Sequence, residues 1–489
     1  MTFLKDEAWQ GRVYSGGWVT PEGGDAAVIE PATGAELGRT GIASPADVAR
    51  ATRLAAAAQP AWAAVPHTER AALLRRAAAI WEANAPEIEQ WVIRESGKIV
   101  PAAQFETHVS LGEIYEATTL PSRPYGDLLP SEQPRLSFAE RVPAGVVGVI
   151  SPFNFPQILG IRSVAPALAL GNAVVLKPDP RTAVCGGVVL ARVFEEAGLP
   201  DGLLHVLPGG VDAGETLIAD PLVRIISFTG STAAGRRVGE LAARHLKRVH
   251  LELGGNSALI VLDDVDVARA ASAGAWGSFL HQGQICMTTG RHLVASAIYD
   301  EYVERLAAKA DSLPVGDPAN PGSTEQVALG PIIDQNQRDK VHSLVTGSVE
   351  QGASLRAGGT YEGLFYRPTV LADVTTAMPA YANEVFGPVA PVVRFDTAED
   401  AAKLAAESDY GLSLSILTRD VMKGLDLARK IPTGIVHINE QTVDDEANIP
   451  FGGLKSSGTG TRFGGAANLE AFTDTRWITV RGDIAPYPF

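Results

Sequence analysis

Residues 146–177 read VVGVISPFNFPQILGIRSVAPALALGNAVVLK, and short apolar runs at 146–151 and 173–177 begin and end this stretch. Similar runs follow at 203–207, 224–229 and 248–252, and helical patterns at 182–197, 212–220 and 232–243 separate most of them. Continuous apolar runs of this kind are typical of parallel strands that are buried on both faces. The stretch therefore predicts a doubly wound α/β domain, although the alternation alone does not select a ligand.

The same alternation extends on both sides of this stretch. Towards the N-terminus, Ser44-Pro45 begins one predicted helix, a second covers residues 68–83, and a third ends at Gly97. After residue 256, five predicted helices and four predicted strands indicate a second α/β domain; they are helices 265–279, 298–310, 335–351, 398–407 and 421–431 and strands 292–295, 389–395, 414–418 and 435–438. Residues 121–141, rich in Pro and Ser, and the alternating tail 472–480 predict a small strand appendage.

Composition excludes several classes of function. The length of 489 residues suggests about three domains or two large ones. Hydrophobic residues make up 46% of the chain, which is enough to bury a large core, and the formal net charge is −15. An acidic chain is a poor partner for nucleic acid or for an anionic membrane surface. The two cysteines, Cys185 and Cys286, provide no disulfide framework, and the N-terminal residues lack the pattern of a signal peptide. We therefore expect a soluble, cytoplasmic protein.

Four short segments carry residue types that are suited to catalysis, and each also has an ordinary structural interpretation. Cys286 lies among polar residues and glycines, unlike Cys185 in an apolar helix, so it is a candidate nucleophile as well as a candidate core residue. His281 nearby suggests a Cys–His pair, but a packing or surface role is favoured. Glu252 lies between two leucines before Gly254, where burial would suit a general base or where the carboxylate would cap a helix.

The other two segments follow predicted strands. Asn154, in Ser151-Pro-Phe-Asn-Phe-Pro156, is placed either to donate to an oxyanion or to form an Asx turn. Residues 228–235 pass from a strand through Gly230 to a helix that starts at Ser231, and such a helix start binds anions. An ordinary strand–helix turn is an equal alternative for that segment.

Together these segments resemble the aldehyde dehydrogenase superfamily over nearly the whole chain. The motifs that carry the resemblance are Pro152-Phe-Asn-Phe-Pro, Lys177-Pro, Phe228-Thr-Gly-Ser, Leu251-Glu-Leu-Gly-Gly-Asn, Gly283-Gln-Ile-Cys, Glu384-Val-Phe-Gly-Pro and Pro450-Phe-Gly-Gly-Leu-Lys. Residues 175–182, 281–287 and 437–447 further resemble the bacterial benzaldehyde and vanillin dehydrogenase branch. The resemblance implies a Rossmann-like cofactor domain (1–120 and 142–252), a catalytic α/β domain (253–456) and a small β oligomerisation appendage (121–141 and 470–489).

The resemblance also implies roles for individual residues. Cys286 would attack the aldehyde, Asn154 would hold the oxyanion, and Glu252 would activate water to hydrolyse the thioester. A nicotinamide cofactor would be bound by Ser151, Pro152, Phe153, Lys177, Gly230, Ser231, Gly254, Glu384 and Phe386. The substrate pocket would consist of Phe155, Leu159, Arg162, Ile285, Met287 and Val443. No metal site is expected.

Two positions depart from the family pattern. Pro180 replaces the Glu that many NAD-specific members carry three residues after Lys177, so NAD is the expected cofactor and NADP is an open alternative. Arg462 replaces a family carboxylate that is implicated in proton relay, which leaves Glu252 as the expected base. The role of Arg162 is also open: it would bind a ring hydroxyl or a substrate carboxylate, or, as slightly favoured, an internal carboxylate.

The expected reaction is the NAD(P)-dependent oxidation of an aromatic aldehyde to its acid. A semialdehyde dehydrogenase is the near alternative, in which Arg162 would bind the substrate carboxylate. A nonredox thiol esterase or acyltransferase that uses Cys286 and Glu252 is a more distant one, and a noncatalytic protein is disfavoured because the catalytic residue types are present. The expected partners are a small aldehyde and further copies of the chain, as a homodimer or homotetramer.

Overall fold

The computed structural model describes residues 3–320 and 326–489, and within them two seven-stranded sheets form the body of the protein. Strands and helices are numbered in chain order through the whole chain. The first sheet has the order β11-β10-β7-β8-β9-β1-β2 and consists of β1 (Val13–Ser15), β2 (Trp18–Val19), β7 (Val146–Ile150), β8 (Ala173–Lys177), β9 (Leu204–Val206), β10 (Val223–Thr229) and β11 (Arg248–Glu252). Strands β7 to β11 are parallel, as predicted, and β1 and β2 add an antiparallel edge.

The strand order of this sheet produces a crevice beside β7. The chain moves from β7 to β8 and β9 on one side and then returns to place β10 on the other side of β7. Segments that leave β7 and β10 therefore diverge at the carboxyl edge, which is where open α/β sheets bind ligands. Residues 151–156 follow β7, and Gly230 and Ser231 follow β10.

The helices of this part of the chain are α1 (Asp6–Trp9), α2 (Pro45–Ala63), α3 (His67–Ala83), α4 (Ala85–Ser96), α5 (Val100–Ala117), α6 (Pro156–Ala169), α7 (Val189–Glu196), α8 (Val211–Ala219) and α9 (Thr232–Arg244). Helices α2, α6, α7, α8 and α9 pack on the first sheet, and α3, α4 and α5 pack on other helices. Ser44 caps α2 in a reciprocal capping box with Asp47, and Gly97 ends α4 with a φ of 71°.

The predicted helix 182–197 was wrong at its start. A 3-10 turn (Pro180–Thr182) and a π-helical turn (Val184–Val188) precede α7. The carboxylate of Glu95 accepts hydrogen bonds from the backbone N–H groups of Val184 and Cys185, which satisfies donors that an ordinary first turn leaves free.

The second sheet has the order β14-β17-β18-β13-β12-β20-β21, and only β14 is antiparallel to its neighbour. Its strands are β12 (Ser257–Val261), β13 (Thr289–Ala295), β14 (Ser354–Ala357), β17 (Thr369–Ala372), β18 (Val389–Phe395), β20 (Ser413–Leu417) and β21 (Ile435–Ile438). Its helices are α10 (Val267–Phe279), α11 (Tyr299–Ser312), α12 (Gln335–Glu350), α13 (Pro379–Ala382), α14 (Ala398–Ala406) and α15 (Val421–Ala428). Strands β12, β14 and β17 were not predicted from the sequence. Alternate residues of β12 pack into two different core clusters on opposite faces of the sheet.

Smaller elements complete the chain. Three two-stranded antiparallel sheets are β3 (Asp25–Ile29) with β4 (Glu36–Gly41), β15 (Tyr361–Glu362) with β16 (Phe365–Tyr366), and β19 (Tyr410–Gly411) with β22 (Leu454–Lys455). After α16 (Ala467–Phe472), β23 (Thr473–Val480) pairs with β6 (Leu136–Pro143), which pairs with β5 (Gly126–Leu128). This three-stranded sheet joins the two segments of the expected appendage; its role in oligomerisation and the domain boundaries stay predictions. Among the described helices, none has the length and apolar character needed to cross a membrane.

Candidate active site

Two cavities meet at Cys286. The larger has a volume of about 830 Å³ and occupies the crevice at the carboxyl edge of the first sheet. The narrower one enters an apolar cluster between α6 and the loop that carries Cys286. Asn154, Leu159 and Cys286 line both cavities. The thiol is therefore located where a molecule in one cavity would meet a molecule in the other.

All nine residues expected to bind the cofactor line the larger cavity; they are Ser151, Pro152, Phe153, Lys177, Gly230, Ser231, Gly254, Glu384 and Phe386. Ser231 is the N-cap of α9, where its side chain accepts a hydrogen bond from the Ala234 N–H at 3.3 Å. The free N–H groups of this helix start favour an anion such as a pyrophosphate. Burial lowers the pKa of Lys177 on the opposite wall.

Three features of the cavity support the binding of a dinucleotide. A Cβ atom on Gly254 would lie 2.2 Å from Glu384 Oε2, so only glycine allows this carboxyl group to reach the Gly255 N–H, which donates to Oε1 at 2.9 Å. The buried hydroxyl of Ser151 has no hydrogen-bond partner among the described residues and therefore has capacity for a ligand. A volume of about 830 Å³ is also in the range of cofactor sites. Burial raises the pKa of Glu384 to about 7.

Arg181, the residue after Pro180, is neutralised within the protein. Arg181 donates to Asp179 at 2.7 and 2.9 Å and to Asp334 at 2.6 Å, and its guanidinium lies 4.2 Å from the centroid of the Phe153 ring. Because two carboxylates and the Phe153 ring contact the Arg181 side chain, its guanidinium is not free to pair with the 2′-phosphate that distinguishes NADP from NAD. Lys177 makes no ion pair among the described residues.

The environment of Cys286 keeps the thiol protonated. Burial, together with the nearby carboxyl groups of Glu384, Asp445 and Glu252, raises the pKa of Cys286 to about 12. Its backbone carbonyl packs so closely on Gly255 that a Cβ atom there would lie 2.2 Å away. Its backbone N–H makes no hydrogen bond to any described residue. The site thus offers one free N–H donor beside the sulfur.

Asn154 provides a second donor, and its position is fixed by three polar contacts. Its side-chain amide donates one hydrogen to the Gln284 carbonyl at 3.0 Å, which leaves the other hydrogen free. Its backbone carbonyl accepts from Lys98 Nζ at 2.6 Å and from His281 Nε2 at 3.0 Å. Lys98 is fully buried, pairs with Glu106 and lies 3.9 Å from the centroid of the Phe155 ring.

The loop before Cys286 is held in an uncommon backbone conformation. His281, Gln282 and Gly283 have φ angles of 47°, 55° and 66°, and left-handed backbone at non-glycine residues costs of order 1 kcal/mol each. Gln282 Nε2 donates to two backbone carbonyls at 2.8 and 3.0 Å, and His281 contacts Asn154 as described. The packing role favoured for His281 agrees with this buried position, and no Cys–His hydrogen bond is formed.

Glu252 lies close to the site, but it is not among the residues that line either cavity. It ends β11, is 3% exposed, and accepts a hydrogen bond from the Gly453 N–H at 3.2 Å. Its second oxygen, Oε1, is buried without a hydrogen-bond partner among the described residues. Burial raises the pKa of Glu252 well above its ordinary value. The carboxyl group must therefore rotate and ionise before it acts as a base at Cys286.

The narrow cavity contains all six residues expected in the substrate pocket; they are Phe155, Leu159, Arg162, Ile285, Met287 and Val443. Arg162 donates to Glu113 at 3.1 Å, pairs with Asp445, and lies 4.6 Å from the centroid of the Phe451 ring. Internal carboxylates therefore bind this guanidinium, which agrees with the slightly favoured interpretation of Arg162. When Arg162, Glu113 and Asp445 are all ionised, the two negative charges outnumber the single positive charge, so this wall is acidic.

Sequence reasoning missed the polar groups behind Asn154 and Arg162. Glu106 and Glu113 lie seven residues apart on α5, in a row with Ala103, Ser110 and Ala117, and all of these side chains are buried. The spacing of these two glutamates along one face of α5 could have predicted buried cationic or polar partners, since carboxylates are rarely buried without a partner. Lys98, in a short loop, offered no comparable signal.

Comparison with known proteins identifies the class. The aldehyde dehydrogenase family profile matches residues 18–478. The chain belongs to the aldehyde dehydrogenase family, and it is an enzyme of that class.

Relatives within the family give a finer comparison. The chain is 69% identical to a vanillin dehydrogenase of Amycolatopsis sp., with 100% of both chains covered. It is 49% identical to the benzaldehyde dehydrogenase [NAD(+)] of Pseudomonas putida, with 98% of both covered. A solved salicylaldehyde dehydrogenase from Pseudomonas putida G7, complexed with salicylaldehyde, superposes with a TM-score of 0.94 at 34% identity, covering 98% of this chain and 99% of that one. The family and fold expected from the sequence are confirmed.

Proposed function

We propose that this enzyme oxidises aromatic aldehydes to carboxylic acids with a nicotinamide dinucleotide as oxidant. The observation that carries the proposal is the position of Cys286 on the shared wall of a dinucleotide-sized cavity and a narrow apolar one. The relatives named for vanillin, benzaldehyde and salicylaldehyde support an aromatic substrate in the narrow cavity.

In the proposed first half-reaction, the thiol of Cys286 releases its proton to solvent and its sulfur forms a bond to the aldehyde carbon. The carbonyl π electrons move to oxygen, and the oxyanion accepts hydrogen bonds from the free amide hydrogen of Asn154 and from the Cys286 N–H. An oxidised nicotinamide bound in the larger cavity supplies the hydride acceptor. Departure of the hydride from carbon leaves a thioester on Cys286.

In the second half-reaction, Glu252 accepts a proton from a water molecule while the water oxygen bonds to the thioester carbon. The carbon–sulfur bond then breaks, the electron pair returns to sulfur, the sulfur takes the proton from Glu252, and the acid departs. Glu252 ends β11 within the electrostatic reach of Cys286, which supports this role. The carboxyl group leaves its contact with Gly453 to take part.

We propose NAD as the preferred cofactor. Pro180 removes the carboxylate that would repel a 2′-phosphate, but Arg181 is bound to Asp179 and Asp334 and provides no free charge for such a phosphate. Lys177 then remains to hydrogen-bond the adenine ribose. Ser231 and the start of α9 would hold the pyrophosphate, and Glu384 and Phe386 the nicotinamide half.

The acidic wall of the narrow cavity disfavours the semialdehyde alternative. A substrate carboxylate would need a free cation, whereas Arg162 already serves Glu113 and Asp445. The apolar residues that dominate this wall instead favour a ring. A nonredox esterase would make no use of the larger cavity, so a test of cofactor binding distinguishes that alternative from the proposed dehydrogenase.

We also propose a homodimer or homotetramer. The three-stranded sheet of β5, β6 and β23 exposes large apolar side chains, including Leu128 at 79% and Trp477 at 63% exposure. Apolar groups grouped on one surface are typical of an interface. Size-exclusion chromatography with light scattering tests this, and a monomer at micromolar concentration would contradict it. Cytoplasmic localisation stays a prediction.

A substrate panel tests the function. We expect reduced cofactor to form with benzaldehyde and vanillin, with a much lower kcat/KM for succinate semialdehyde and with NADP. Cys286→Ala should abolish the activity, and Cys185→Ala should leave it unchanged. Activity that survives in Cys286→Ala would refute the proposal.

A further inference from the structure

Glu252 and Arg462 converge on the same two glycines. The Gly453 N–H donates to Glu252 Oε2 at 3.2 Å, and the carbonyl of Gly453 accepts from Arg462 Nη1 at 3.4 Å. A Cβ atom on Gly452 would lie 2.9 Å from Glu252 Oε1 and 2.8 Å from Arg462 Nη1. The free carboxyl oxygen and the guanidinium therefore lie within about 3 Å of one common point.

Arg462 is the cation near Glu252 that no carboxylate neutralises. Its hydrogen bonds go to the carbonyls of Gly453 and Thr461, and it takes part in no salt bridge among the described residues. The other cation whose field reaches Glu252 is Arg162, which is already paired with two carboxylates. The thiol of Cys286 also faces Glu252, whose carboxyl group contributes to the raised pKa of that thiol.

We propose that Arg462 is a positioning residue for thioester hydrolysis, which favours the ionised form of the Glu252 carboxyl group at its resting place over the Gly452–Gly453 turn, from which Glu252 rotates towards Cys286. The inference rests on the proposed function of Glu252. Arg462 would thus be a cationic partner of the base at the position where other family members carry a carboxylate.

The physical reason lies in the burial of Glu252. A protonated carboxyl group cannot accept a proton from water, and burial favours the protonated form. A cation at a separation of about 5 Å offsets this penalty by an amount equivalent to about one unit of pKa or more at the effective dielectric of a protein. Without Arg462, hydrolysis should therefore require a higher pH.

The test measures acyl-enzyme hydrolysis in the absence of any cofactor. p-Nitrophenyl acetate acylates the thiol in a burst, and the following steady state reports hydrolysis of the acyl enzyme. Both are recorded between about pH 5 and 10 for the wild-type enzyme, Arg462→Met and Arg462→Lys. Glu252→Gln identifies which part of the pH profile belongs to Glu252.

We expect the apparent pKa of the hydrolytic step to rise by about one unit in Arg462→Met, with the burst amplitude unchanged. Arg462→Lys should retain the wild-type profile because the charge is kept. The same apparent pKa in Arg462→Met and wild type would overturn the inference, as would an equal loss in both variants, which indicates packing. A wild-type enzyme that hydrolyses the ester but forms no reduced cofactor with aldehydes would instead refute the proposed function.

Discussion

Replacing Asn154 by alanine should slow the oxidation without unfolding the protein. The side-chain amide has two hydrogens, and one is donated to the Gln284 carbonyl at 3.0 Å. The other hydrogen and the Cys286 N–H are the two donors available to the oxyanion. Loss of one such donor typically costs about 3 kcal/mol of transition-state stabilisation, so kcat/KM should fall by a factor of about 100 to 1,000.

The loop should survive this substitution. Lys98 and His281 bind the backbone carbonyl of residue 154, which alanine retains. Stopped-flow measurement of reduced cofactor with benzaldehyde should show a slower first turnover, while cofactor affinity and the melting temperature stay close to wild type. Asn154→Asp is the matched control, since it keeps the shape but replaces the donor with a carboxylate, and it should be at least as slow. A loss of less than about tenfold in Asn154→Ala would refute the oxyanion role.

Three further substitutions probe the base, the cofactor side and the substrate wall. Glu252→Gln should gain stability relative to wild type as the pH rises above about 5, because the raised pKa of Glu252 makes the folded wild-type protein less stable as the pH rises through this range; an equal difference in melting temperature at low and high pH would contradict this. Asp179→Asn should increase the ratio of kcat/KM for NADP to that for NAD by releasing Arg181, and an unchanged ratio would count against that assignment. Arg162→Met should lower the free energy of unfolding by about 3–5 kcal/mol, measured by urea titration, since two buried carboxyl groups lose their partner; Arg162→Lys should lose less.

The sequence predicted the parallel strands of the first sheet and β13, β18, β20 and β21 of the second, and most of these strands are buried on both faces. It did not predict β1, β2, β12, β14 or β17. The predicted bounds of β8, β11, β18 and β21 agree with the structure, and the residues nominated for the cofactor cavity all line it. Such strands read as continuous apolar runs, and strand ends in these folds are where ligands bind.

What the sequence left out depends on contacts between distant segments. The π-helical turn before α7 results from Glu95, which lies about 90 residues earlier. The contact of Lys98 with the Asn154 carbonyl joins residues 56 positions apart, and no local pattern encodes it. The orientation of Glu252 away from both cavities likewise depends on Gly453, 201 residues later.

The central claim is that the sulfur of Cys286 carries the acyl group between oxidation and hydrolysis. Glu252→Gln should slow hydrolysis and leave this thioester long enough for detection by intact-protein and peptide mass spectrometry after mixing with NAD and benzaldehyde. We predict one added benzoyl group per chain, located on the peptide that contains Cys286 and absent when NAD is omitted. No adduct, or an adduct on Cys185, would contradict the account.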